Sequence, residues 1–77
     1  MNADRRKRLA KLHDDLAELA NDLESVRDEE QEAFDNMPES LQQAEKGEAM
    51  QESIDALDAA ISSAEELTEN IATARGE

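Results

Sequence analysis

Five cations fall within seven positions near the start of the chain: Arg5, Arg6, Lys7, Arg8 and Lys11. Guanidinium forks at this density suit an anion, and tips from several protomers could gather around one phosphate or one acidic peptide. A plainer use is a set of exposed ion pairs, each worth about 1 kcal/mol or less. The sole histidine, His13, precedes Asp14 and Asp15. That neighbourhood could begin a metal site, yet the chain holds no second histidine, no cysteine and no Glu-x-x-His pair of the di-iron bundle kind. No Ser/His/Asp order, glycine-rich phosphate loop or pair of buried carboxylates can be assembled. We therefore expect no enzyme activity, no metal and no cofactor.

The rest of the chain is acidic. Residues 13–77 hold twenty acids against Arg27, Lys46 and Arg75, and the whole chain carries a net charge of −13. The run from Asp28 to Glu32 lacks the glycine and the alternating oxygen ligands of a calcium loop. Read on a helix, Asp28, Glu29, Glu32 and Asp35 form either a solvated face or a docking face for a basic or nucleic-acid-binding partner. Such a face can also imitate phosphate spacing, which makes a DNA mimic an alternative reading. Direct binding to duplex nucleic acid is disfavoured, because the acidic body repels phosphates.

The elements that carry these groups are legible from apolar spacing. Leu9, Leu12, Leu16, Leu19, Leu23 and Val26 alternate by three and four residues, the beat of a coiled-coil stripe. With Leu9 at heptad position a, Leu16 and Leu23 also fall at a, and Leu12, Leu19 and Val26 at d. Helix 1 is predicted over about residues 4–35, capped by Asn2 or Asp4. A second stripe runs through Met50, Ile54, Leu57, Ile61, Ala64, Thr68 and Ile71. Helix 2 is predicted over about residues 41–74, with Gly76 as the stop.

Between them lies a turn at residues 36–40. Pro38 cannot continue helix 1 and suits the first position of the next helix. Phe34, Met37 and Leu41 cluster around Pro38 and are expected to plug the hairpin tip. Gly47 lies inside helix 2 at a cost of about 1 kcal/mol relative to alanine. We expect the helix to continue through it, bent at most. A break between Ala44 and Glu48, or close backbone approach by another chain, are the alternatives. Closing the hairpin at Pro38 places the basic tip near Glu65, Glu66 and Glu69, the natural acceptors for its ion pairs.

The predicted fold is therefore all-α: one domain, an antiparallel two-helix hairpin of coiled-coil type. Its shared core and oligomer seam comprise Leu9, Leu12, Leu16, Leu19, Leu23, Val26, Ile54, Leu57, Ile61 and Ile71. Large apolar side chains are few, namely eight leucines, three isoleucines, one valine and one phenylalanine. Chains of this length rarely draw more than ~3–5 kcal/mol from a single core. Without cysteine, no disulfide makes up the difference. Dimerisation into a four-helix bundle, or a higher oligomer, is the expected remedy. No apolar stretch approaches a membrane span and the basic opening precedes no signal-peptide core, so no membrane contact and a cytoplasmic location are expected.

The segment Asp28-Glu29-Glu30-Gln31-Glu32-Ala33-Phe34-Asp35-Asn36-Met37-Pro38-Glu39-Ser40-Leu41-Gln42, followed by Glu45-Lys46-Gly47-Glu48-Ala49-Met50, carries a further signal. It resembles a pattern in small phage and prophage proteins of acidic helical character. The likeness covers about residues 23–61 and centres on the turn. It implies context: small phage chains of this kind act by binding, as by blocking a host protein in counter-defence, in the host cytoplasm. The function expected from residues and resemblance together is that of a self-associating acidic protein that acts by binding a protein partner. The alternatives are a sponge for an anionic nucleotide signal at the Arg5–Lys11 tip, and the DNA mimic.

Overall fold

The computed structural model describes residues 1–76, and these form an all-helical rod of 58 × 14 × 14 Å. Helix α1 spans Ala3–Asp35, α2 Glu39–Gln42 and α3 Glu45–Arg75. At 1.5 Å per residue, α1 alone accounts for roughly 50 Å of the long axis. The long helices α1 and α3 pack against each other along the rod. Asn2 is the cap of α1, and its Oδ1 accepts the backbone N–H of Arg5 at 2.8 Å. Gly76 ends α3 in the left-handed conformation at φ 88°, where the absence of a Cβ removes the steric penalty.

The seam between α1 and α3 differs from a simple a/d stripe. Half-buried residues of α1 recur as Leu9, His13, Leu16, Ala20, Leu23, Arg27 and Phe34, which are heptad positions a and e. The d residues Leu12, Leu19 and Val26, expected in one continuous core, remain 54%, 52% and 50% exposed. Two neighbouring helices can cover only one line on each other. Ala20 permits close approach along the a/e line, so the d line is left on the flank. On α3, Ile54, Ile61 and Ala64 are buried, while Met50, Leu57, Thr68 and Ile71 are half-buried. Thr68 is tolerated there because its hydroxyl donates to the Ala64 carbonyl at 2.8 Å.

The connection corrects three expectations. Pro38 is the cap of α2 rather than its first helical residue, with φ −57° and ψ 145°. Its fixed φ suits the extended conformation preceding a helix, and its carbonyl accepts from Leu41 and Gln42 at 2.9 and 3.0 Å. Leu41 is not part of a closed plug: it is exposed, whereas Phe34 and Met37 are half-buried. Gln42 does the joining instead, donating from Nε2 to the Phe34 carbonyl at 2.9 Å.

Helix 2, expected as one piece from about residue 41, is divided. The chain leaves helical geometry between Gln42 and Glu45, where Ala44 is extended with ψ 173°. Gly47 explains the break. It is buried, and a Cβ at this position would collide with the backbone of Gln42. Close approach is therefore made by the chain's own preceding turn. Gly47→Ala is expected to destabilise the hairpin by about 1–3 kcal/mol through overpacking. Set against alanine's helix-propensity gain of about 1 kcal/mol, this leaves a net loss of up to about 2 kcal/mol. A thermal melt followed by circular dichroism measures the difference, and an unchanged or raised midpoint would contradict the close approach.

Candidate functional site

Successive helical residues turn by about 100°, so the a/e seam divides the hairpin surface into two long faces. One face is polar. It is marked by a groove of about 440 Å³ lined by Ala17, Ala20, Asn21, Glu24, Glu65, Thr68 and Glu69. It also carries the Arg27 guanidinium, whose Nη1 donates to Asp58 at 2.6 Å and whose Nε donates to Asp28 at 2.8 Å. The hydrogen bonds that Arg27 donates to Asp28 and then to Asp58 hold its guanidinium above its ordinary value, against a smaller opposing effect of burial. A raised cation contributes stability below its unfolded value and loses it as pH rises through the folded one. For Arg27 that window is strongly alkaline, so the pair is constant across neutral pH.

The opposite face is apolar. Leu12, Leu19 and Val26 lie on the flank of α1 away from the groove, one heptad apart. Leu67 of α3 is 49% exposed. It immediately precedes Thr68 in sequence, and the 100° step carries it from the seam to the same side as the α1 leucines. Ala20 and Thr68 line the same groove, which places Leu19 and Leu67 at about one level of the rod.

The basic tip lies at the open end. The ion pairs it makes are local: Arg8 to Asp4 at 3.9 Å and Lys11 to Asp15 at 2.8 Å. The hydrogen bond to Asp15 raises the Lys11 ammonium above its ordinary value. The sequence points to Glu65, Glu66 and Glu69 as acceptors, but among the described residues none of Arg5, Arg6, Lys7, Arg8 and Lys11 reaches them. Glu65 and Glu69 line the polar groove, while Arg5 and Arg8 border an open hollow of about 270 Å³ with Met1, Leu9 and Leu12. The Arg5 and Arg8 guanidinium groups thus stand beside the apolar face.

The acidic residues Asp28, Glu29, Glu32 and Asp35 are all exposed. Asp28 accepts from Arg27 and Asp35 from Gln31 Nε2 at 2.9 Å, leaving Glu29 and Glu32 open to solvent. His13 is half-buried in the seam, with Nδ1 3.7 Å from Asp14. Among the described residues no three His, Asp or Glu side chains converge as metal ligands. No helix among them is long and apolar enough to cross a membrane.

Sequence reasoning misses Arg27 as a joining residue. Its signal is present all the same: a lone cation in a long acidic stretch, at heptad position e immediately after Val26. Comparison with known proteins finds no matching family model, no matching curated protein and no matching solved structure. Asp58→Asn removes an ion pair that ties α1 to α3 and is expected to lower the melting temperature. The difference from the unaltered chain should shrink between low and molar salt as ions screen the charges. A salt-independent difference would mean that Asp58 acts through packing or helix propensity instead.

Proposed function

We propose that this chain is a non-enzymatic interaction protein that works as a self-associated helical hairpin. The observation carrying this reading is the stripe of Leu12, Leu19 and Val26, half-exposed outside the intramolecular seam while keeping coiled-coil spacing. A helix that needed only α3 as a neighbour would have no use for leucines at both a and d. Apolar side chains at regular spacing on one flank belong against another helix surface. A second copy supplies such a surface by symmetry, giving a four-helix assembly.

The exposed carboxylates Glu29 and Glu32, with Asp28 and Asp35 beside them, then form the docking face for a basic protein partner. Electrostatic docking of this kind gives fast association and strong salt dependence. The likeness of the turn segment to small phage proteins favours a host protein as that partner, blocked in counter-defence.

Two substitutions separate the seam from the stripe. Leu16→Asp places an unpaired charge between α1 and α3 and is expected to abolish helicity at every concentration. Leu19→Asp is expected instead to weaken self-association by about 100-fold or more, the scale of an interface hot spot of at least 2 kcal/mol. Sedimentation across a concentration series reads the second effect and circular dichroism the first. A single-chain mass for the unaltered protein at all concentrations would overturn the proposal.

A further inference from the structure

We infer that the second copy docks on the Leu12–Leu19–Val26 face end for end, with the turn of one hairpin against the open end of the other. This rests on the self-association proposed above and adds its orientation and register. Two features fix the choice: where the uncharged surface lies and how charge is distributed along the rod.

Each copy carries a net charge of −13, so two copies meet at least cost where opposed carboxylates are fewest; Asp15 and Asp22 still edge the stripe on α1, and the charge-free row lies on α3. The flank holding Leu12, Leu19 and Val26 continues across to α3 as Ala56, Ala60, Ser63, Leu67, Asn70 and Ala74, spaced by three and four residues without a charged side chain. At 100° per residue, Asp58, Glu65 and Glu69 of α3 turn towards the groove on the other side. The apolar flank is thus also the one along which α3 offers least repulsion.

Along the axis the charge is polarised. Residues 1–12 hold five cations against Asp4, whereas the stretch Asp28 to Glu39 holds six carboxylates and no cation. Docking with turns together would oppose two such acidic runs and, at the other end, two basic tips. Reversing one copy brings each basic tip onto an acidic run and exchanges both repulsions for attraction.

The register follows from the leucines. Arg8 and Glu30 lie eleven residues either side of Leu19, and Leu12 and Val26 lie seven either side. A two-fold axis through the Leu19–Leu67 level therefore lays α1 against α1 of the second copy. It sets Leu12 opposite Val26, Leu19 opposite Leu19, and Arg8 opposite the half-buried Glu30. The hollow bordered by Met1, Arg5 and Arg8 then faces the acidic turn end, and Arg5 comes level with Ala33.

Because the chain has no cysteine, single cysteines report the orientation while leaving the leucine stripe intact. Arg5→Cys and Ala33→Cys chains, each also labelled by a distinct mass tag, are mixed and treated with a short bifunctional thiol reagent. The expected product is the mixed conjugate, one Arg5→Cys chain joined to one Ala33→Cys chain, formed in large excess over either homodimeric conjugate. Dominant homodimeric conjugates of each variant, with dimeric mass in sedimentation, would overturn the reversed orientation and leave self-association standing. A single-chain mass for the unaltered protein would overturn both and assign the face to a different protein. As a second readout, Arg8→Glu alone is expected to weaken the dimer at least tenfold. The Arg8→Glu/Glu30→Arg double variant should recover most of that loss, and failure to recover counts against the register.

Discussion

A two-helix hairpin gives each helix only one neighbour, and most of what distinguishes this molecule follows from that limit. Helix α1 presents large apolar side chains at both a and d, but α3 covers a line centred between a and e. No residue of α1 is fully buried, and among the described residues the buried large or small aliphatic side chains are those of Ile54, Ile61 and Ala64 of α3. The contact line is narrow because its width is set by the approach of two cylinders, not by the amount of leucine available. Leu12, Leu19 and Val26 are consequently surface residues of the single chain.

Charge constrains the molecule in a second direction. Self-repulsion at this net charge opposes any close contact that is not chosen with care. Within one chain the cost is eased in the turn-side half of the rod, where Arg27 bridges Asp28 and Asp58. The densest positive charge lies in the first turns of α1. Positive charge at a helix N-terminus opposes the macrodipole, so Arg5 to Arg8 make little sense as local helix stabilisers. Among the described residues no ion pair joins Arg5, Arg6 or Lys7 to the glutamates on the neighbouring helix.

The connection shows how one backbone approach organises a turn. Gly47 lets α3 start against the Gln42 backbone, and Gln42 in turn binds the Phe34 carbonyl near the end of α1. Three segments are thereby joined through a residue with no side chain and a residue with an amide. Phe34 and Met37 supply apolar cover, while Leu41 remains outside. The short helix α2 exists because Pro38 starts a turn that the descent towards Gly47 then interrupts.

Taken alone, the order of residues determined an all-helical chain with two long helices folded back on each other. It placed the end of the first near Asp35 and the stop of the second at Gly76, and narrowed the first cap to Asn2 or Asp4, because periodicity and capping are local properties of the chain. It marked Ile54 and Ile61 as core and the Asp28–Asp35 acids as surface. It did not determine which leucines meet α3, because Leu12 and Leu16 have the same chemistry and differ only in which way they face once a neighbour is chosen. Nor did it reveal the break before Gly47 or the Arg27–Asp58 pair. The first depends on a backbone contact to a glycine, which leaves no pattern in hydrophobicity. The second joins residues 31 positions apart in the chain. Only the tertiary arrangement decides such matters, since each is a distance between segments and no property of either segment by itself supplies it.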